Sequence, residues 1–68
     1  MQTREEVQKM FASDHLPEKL RQTSKLFENL ALTLFEALPG LPERTLALRK
    51  LWETKNLAVM AMVLDPRD

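Results

Sequence analysis

Apolar residues recur at helical spacing along most of this chain, and most fully between Leu41 and Leu64. At about 100° per residue, Ala47, Leu48, Leu51, Trp52, Ala58, Val59 and Met62 share one face, with Arg49, Glu53 and Asn56 opposite. Pro42 suits a first helical position, where a missing N–H costs nothing. The pattern therefore predicts a helix over 42–64. Two cations, Arg44 and Lys55, fall inside its apolar face. Near its end the amphipathic pattern fails, because Leu57 to Leu64 is an unbroken apolar run. Leu57, Met60 and Leu64 then lie on the side that should be wet, and a helix apolar all round must be covered all round.

The preceding segment predicts a second long helix over 17–38. Leu20, Leu26, Phe27, Leu30, Leu34, Ala37 and Leu38 fall on one face by the same angular count, and Pro39-Gly40 stops it. A turn that short folds the two long helices back on each other as an antiparallel helical hairpin. A short helix over 3–12 precedes them. Thr3 is its N-cap, Glu6 completes a capping box, and Val7, Met10 and Phe11 form its apolar side. Ser13-Asp14-His15-Leu16 reads as the break before Pro17. The expected fold is all-α, in one domain spanning residues 1–68.

The two long helices also resemble each other at an offset of 25 residues: Leu16-Pro17-Glu18-Lys19 answers Leu41-Pro42-Glu43-Arg44, and Lys25-Leu26-Phe27-Glu28 answers Lys50-Leu51-Trp52-Glu53. Leu32 answers Leu57, and Phe35 answers Met60. Either a helical unit has been duplicated, or two amphipathic helices obey the same start rules.

Composition narrows the options. Sixty-eight residues build a small core, and small folds add disulfides, metals or subunits. There is no Cys and one His, so oligomerisation remains, and the uncovered apolar run points the same way. Ten basic and ten acidic residues cancel, which leaves no overall field to attract duplex nucleic acid. No apolar run reaches the ~18 residues of a membrane span. Glu5 and Glu6 replace the apolar region of a signal peptide. The expectation is a soluble intracellular protein.

Candidate chemistry is sparse. With no Cys, no Gly-rich loop, no Tyr and a lone His15, no catalytic constellation forms, and no enzyme is expected. No metal or cofactor is expected either, since the glutamates make no Glu-x-x-His pattern. The helix starts offer free N–H groups to an anion, and at the second start Arg44 and Thr45 add a guanidinium and a hydroxyl. Glu43 already complements that dipole, and Pro-Glu-Arg is also an ordinary helix opening. Arg44 and Lys55 either snorkel to the interface edge or line a basic pocket between subunits. Arg21, Lys25, Arg49 and Lys50 read mainly as solvated charges. His15 can stack on a base or bond a phosphate, though most loop histidines do neither. Trp52 can stack, or simply pack in the core.

Over Pro42 to Ala61 the sequence resembles the helical-hairpin domain of phage anti-CBASS cyclic-nucleotide sponges, whose last helix carries a pattern close to E-R-S/T-L-A-L-T-K-L-E-E-A-x-x-W-A-x-A. Glu43-Arg44-Thr45-Leu46-Ala47-Leu48, Lys50-Leu51, Glu53 and Ala58 match it. Arg49 stands where the pattern has Thr, and Leu57 where it has Trp. His15, Pro17, Arg21 and Leu30-Ala31 are similar, more loosely, to an upstream stretch of the family.

The resemblance implies a helical protomer assembled as a homo-oligomer, a hexamer in known members. It implies pockets between protomers that sequester cyclic di- or trinucleotides without cleavage, in the host cytoplasm, so that CBASS-type immune signalling is blocked. Arg44, Thr45 and Lys50 carry over as ligand contacts from matched positions, His15 and Arg21 from the looser stretch, and Lys25 is added on its charge. The rival reading is a small interaction module that docks a host or phage partner through its apolar helix. A DNA-binding regulator lacks the basic stripe it would need.

Overall fold

The computed structural model describes residues 2–66 and contains three helices in the order α1 (Arg4–Met10), α2 (Glu18–Ala37) and α3 (Pro42–Leu64), with no strand among the described residues. The helix ends differ from the expected ones by a residue or two at α1 and α2. Each boundary has a local cause. At α1, the Glu6 backbone N–H donates to Thr3 Oγ1 at 3.2 Å and the Thr3 N–H donates to Glu6 Oε1 at 3.4 Å, the reciprocal box that the Thr3/Glu6 spacing predicts. Helix α2 starts after Pro17, whose carbonyl accepts from the Arg21 N–H at 2.8 Å, and ends where Pro39 forbids continuation. Pro42 occupies the first turn of α3, and extended Asp65 before Pro66 closes it.

Helices α2 and α3, joined by 38–41, pack most extensively on each other, and α1 lies on α2. At 1.5 Å per residue α3 is about 35 Å long, α2 about 30 Å and α1 only about 10 Å. The body measures 41 × 18 × 16 Å, with a radius of gyration of 12.7 Å; a sphere-like fold of this length would have about 11 Å. The molecule is a rod, and α1 spans only part of it.

The core sits where α1 lies. Val7, Phe11, Ala31 and Leu48 are the fully covered apolar residues, and Met10, Phe27, Leu32, Leu34, Phe35 and Leu51 pack around them. Among the described residues, buried polar groups are as numerous as buried apolar ones: Ser13, Ser24, Glu28 and Lys55. Glu28 accepts from Ser13 Oγ at 3.3 Å and pairs with Lys25 Nζ at 3.2 Å, which fastens the loop after α1 to α2. Arg4 reaches Glu36 at 3.0 Å, but both side chains are more than half exposed, so this pair contributes about 0–1 kcal/mol.

The inward face of α2 is the expected one only in part: Leu20, Phe27, Leu34 and Leu38 are half-buried, with Phe27 and Leu34 against the core. Leu26 and Leu30 are exposed, the former by 69%, whereas Ser24, Glu28 and Ala31 are buried. Helix α2 is turned by most of one residue's ~100° step, because its two neighbours cover the side carrying Ala31, and that small residue leaves room for Phe11 and Val7 of α1. Leu32 and Phe35, expected on an outward second face, consequently pack against the core. The 25-residue correspondence does not extend to environment either: Glu28 is buried and Glu53 exposed, and Leu32 is half-buried where Leu57 is 73% exposed. On α3, Leu48, Leu51, Ala58, Val59 and Met62 face inward as expected, while Ala47 and Trp52 are exposed at the edges.

Leu48→Ala should cost about 2–5 kcal/mol, the range for deleting a buried leucine side chain. Asn56→Ala on the opposite face should stay within about 0.5 kcal/mol. Urea denaturation of the two variants checks this, and equal losses would misplace the core.

Candidate functional site

The residues singled out from the sequence separate into two groups at opposite ends of α2. Arg44 and Thr45 stand at the start of α3, beside the α2–α3 turn. His15, Arg21 and Lys25 stand at the other end, around the loop before α2 and its first two turns. Arg44 lies level with Phe35, so about 20 Å of α2 separates it from Arg21 and about 15 Å from Lys25, at 1.5 Å per residue. Lys50 belongs to neither: it is exposed and lies 3.8 Å from Glu53 one turn on.

At the turn, Arg44 is half-buried and engaged inside the protomer. Its Nη1 donates to the Phe35 carbonyl at 3.2 Å, and its guanidinium carbon lies 4.0 Å from the centre of the Phe35 ring. Near the end of α2 the carbonyls lose their helical acceptor role, so a cation there both bonds an orphan oxygen and complements the dipole. The arginine expected on the apolar face thus has a partner, as burial requires, although its Nε is covered without an acceptor. Gly40 follows the same logic of proximity. It does not adopt a left-handed conformation, and a β-carbon there would meet the Arg44 guanidinium at 3.7–3.9 Å, an ordinary contact.

Thr45 is exposed and borders two concavities. One, of about 200 Å³, is formed with Gly40, Leu41, Pro42 and Arg44. The other, of about 450 Å³, lies between α1 and the start of α3 and adds Gln2, Met10, Leu46 and Arg49. The second combines apolar walls with a hydroxyl and a guanidinium, the usual mixture for an organic anion. Arg49, assigned from sequence to the solvated face, lines it. Gln2 and Met10 reach it only because α1 folds back, and no local spacing announces that.

At the other end, Arg21 and Lys25 border a concavity of about 310 Å³ with Ser13, Asp14, Glu18 and Gln22. Two carboxylates share that rim, and Lys25 is already paired with Glu28, so the local field is mixed. His15 is exposed in the turn before α2. Among the described residues no three His, Cys, Asp or Glu side chains converge as a metal site, and no helix is long and apolar enough to cross a membrane. The chain matches no family model, no curated protein and no solved structure.

Arg44→Ala should lower stability by about 1.5–3 kcal/mol, the value of a hydrogen bond from a charged donor. Arg44→Lys should fall between, since an ammonium keeps the charge but not the planar stack on Phe35. Thermal denaturation reads both; an unchanged melting temperature in Arg44→Ala would mean that the turn does not depend on this clamp.

Proposed function

We propose that this chain is a phage-type anti-defence protein that sequesters cyclic di- or trinucleotides without cleaving them, acting in the host cytoplasm as a homo-oligomer of antiparallel helical hairpins. The observation that carries the reading is the Glu43–Leu51 motif at the start of α3, whose Thr45 borders two concavities at that end. The separation of the candidate residues supports pockets built between copies. One small cyclic ligand cannot touch Arg44 and Arg21 of the same protomer across most of α2, but it can touch Arg44 or Thr45 of one protomer and His15, Arg21 or Lys25 of another. The cations are few and local, which suits a ligand with two or three phosphodiesters and flat bases better than a long polyanion.

Exposed apolar surface supports assembly. Leu46, Leu57, Met60, Val63 and Leu64 of α3 and Leu26 and Leu30 of α2 are all exposed in the single chain. Four fully buried apolar residues make a thin core for a free monomer. The resemblance favours a hexamer. The same exposed residues favour the second reading, a module that docks a protein partner through α3.

Two experiments test these statements. Calorimetric titration against a panel of cyclic di- and trinucleotides should show binding, and chromatography after heat denaturation should return the ligand intact. A linearised product would indicate an enzyme, and no retained ligand across the panel would favour the docking module. Met60→Glu should dissociate the assembly, because a carboxylate in an apolar interface costs several kcal/mol. Light scattering that finds the unmodified protein monomeric at micromolar concentration would end the homo-oligomer.

A further inference from the structure

The outer side of α3 carries a regular seam. Leu46, Lys50, Glu53, Leu57, Met60 and Leu64 follow one another at alternating intervals of four and three residues, the heptad spacing with which one helix packs along another. At about 100° per residue they fall within an arc of about 80°. That arc lies opposite the buried Leu48 and Lys55, on the side of α3 turned away from α2. All six residues are exposed in the single chain. Four of them are Leu or Met, and Leu57 and Leu64 each leave 73% of their surface open. The two charged members stand between Leu46 and Leu57 and carry opposite signs. Within one chain they lie 3.8 Å apart with side chains 69% and 52% exposed, a pair that does little for the single helix.

The order of charges along the seam selects what covers it. A parallel copy in register sets Lys50 on Lys50 and Glu53 on Glu53, like charges in the middle of an apolar strip. Reversed, the seam is complementary to itself. When Lys50 of each copy lies level with Glu53 of the other, Leu46 of each lies level with Leu57 of the other, because Leu46–Lys50 and Glu53–Leu57 are equal intervals. Met60 and Leu64 then run along the start of α3 and the α2–α3 turn of the second copy, where Leu41 and Pro42 are exposed. Sliding one copy by a heptad in either direction takes Lys50 onto Met60 or Leu46 and leaves both charges covered without an opposite charge, which is costly. A longer slide uncovers Leu46 or Leu57.

We propose that α3 packs antiparallel on α3 of a second copy of this chain, with Lys50 of each against Glu53 of the other and Leu46 of each against Leu57 of the other. This contact rests on the homo-oligomer reading above and gives that reading its geometry. At the two-fold axis the charges alternate in sign, so each ammonium lies between its own Glu53 and that of the second copy. Leu46 also lines the cleft of about 450 Å³ beside Thr45 and Arg49, so Leu57 of the second copy stands at that cleft's outer edge. A single two-fold contact closes a dimer, and a hexamer adds a different contact to it.

Light scattering over a concentration series measures self-association of the full chain, Lys50→Glu, Glu53→Lys and the double variant Lys50→Glu/Glu53→Lys. Each single reversal gathers four like charges at the axis and should weaken self-association by about tenfold or more. The double variant exchanges the signs and should restore it. An equimolar mixture of the two single variants should also associate, because one copy is then acidic and the other basic at the axis. Repair of the pair within one chain cannot produce that rescue, since neither single variant holds opposite charges at 50 and 53. The chain has no Cys, so introduced cysteines report the register. Leu46→Cys mixed with Leu57→Cys should cross-link on air oxidation far faster than Leu46→Cys alone.

An unmodified protein that associates, with both single reversals associating equally well or their mixture failing to recover, would overturn the seam and leave the homo-oligomer standing. Leu46→Cys cross-linking to itself as readily as to Leu57→Cys would overturn the antiparallel register. An unmodified protein that stays monomeric at micromolar concentration would end the homo-oligomer and the seam together.

Discussion

The seating of Val7 and Phe11 of α1 on Ala31 and Leu48 is the contact on which the rest of the structure depends. Ala31 presents almost no side chain, so a short third helix can approach α2 closely enough to close the core. That approach sets the rotation of α2, and the rotation decides which leucines are covered. It also brings Ser13 to Glu28, so the loop after α1 is fastened by a carboxylate rather than by apolar packing. A helix of about 10 Å cannot cover two partners of 30 Å or more. Beyond its reach, the two long helices have only each other, and their outer faces stay apolar and open.

This uneven cover relates the fold to the proposed activity. The covered end is ordered by the core, the Arg44 clamp and the α1 capping box. The uncovered end is where Leu57 to Leu64 run and where a second copy or a partner must supply what α1 does not. A small protein with a thin core gains most from burying that surface between subunits, and pockets between subunits then come without extra chain. Binding without chemistry needs only donors, walls and exclusion of water, and the concavities beside Thr45 and beside Arg21 have those features in part within one protomer.

Arg44 and Lys55 show how two cations on one helical face come to differ. Arg44 lies at the turn, where α2 ends and presents a carbonyl and an aromatic ring within reach of its guanidinium. Lys55 lies mid-helix, level with the interior of α2, where the carbonyls are held in the helical ladder. Only the first is fastened by the end of a neighbouring helix.

Local chemistry in the sequence determined the three helices, their caps and stops, and the inward line of α3, because each follows from spacings of a few residues: Thr3 with Glu6, Pro39 after Leu38, Pro42 at a helix start, Leu48 with Leu51 and Lys55. It also determined that Leu57 to Leu64 would lack a wet side, since eight apolar residues in a row leave none. Only the tertiary structure decided which face of α2 turns inward. That depended on where α1 lands, and neither the apolar count nor the periodicity of α2 contains the position of another helix. For the same reason Leu26 and Leu30 are exposed, Gln2 and Met10 line the cleft beside Thr45, and Ser24 and Glu28 lie buried. The Arg4–Glu36 ion pair and the Ser13–Glu28 hydrogen bond are likewise products of long-range packing, in which groups far apart along the chain are held together by contacts that no local pattern encodes.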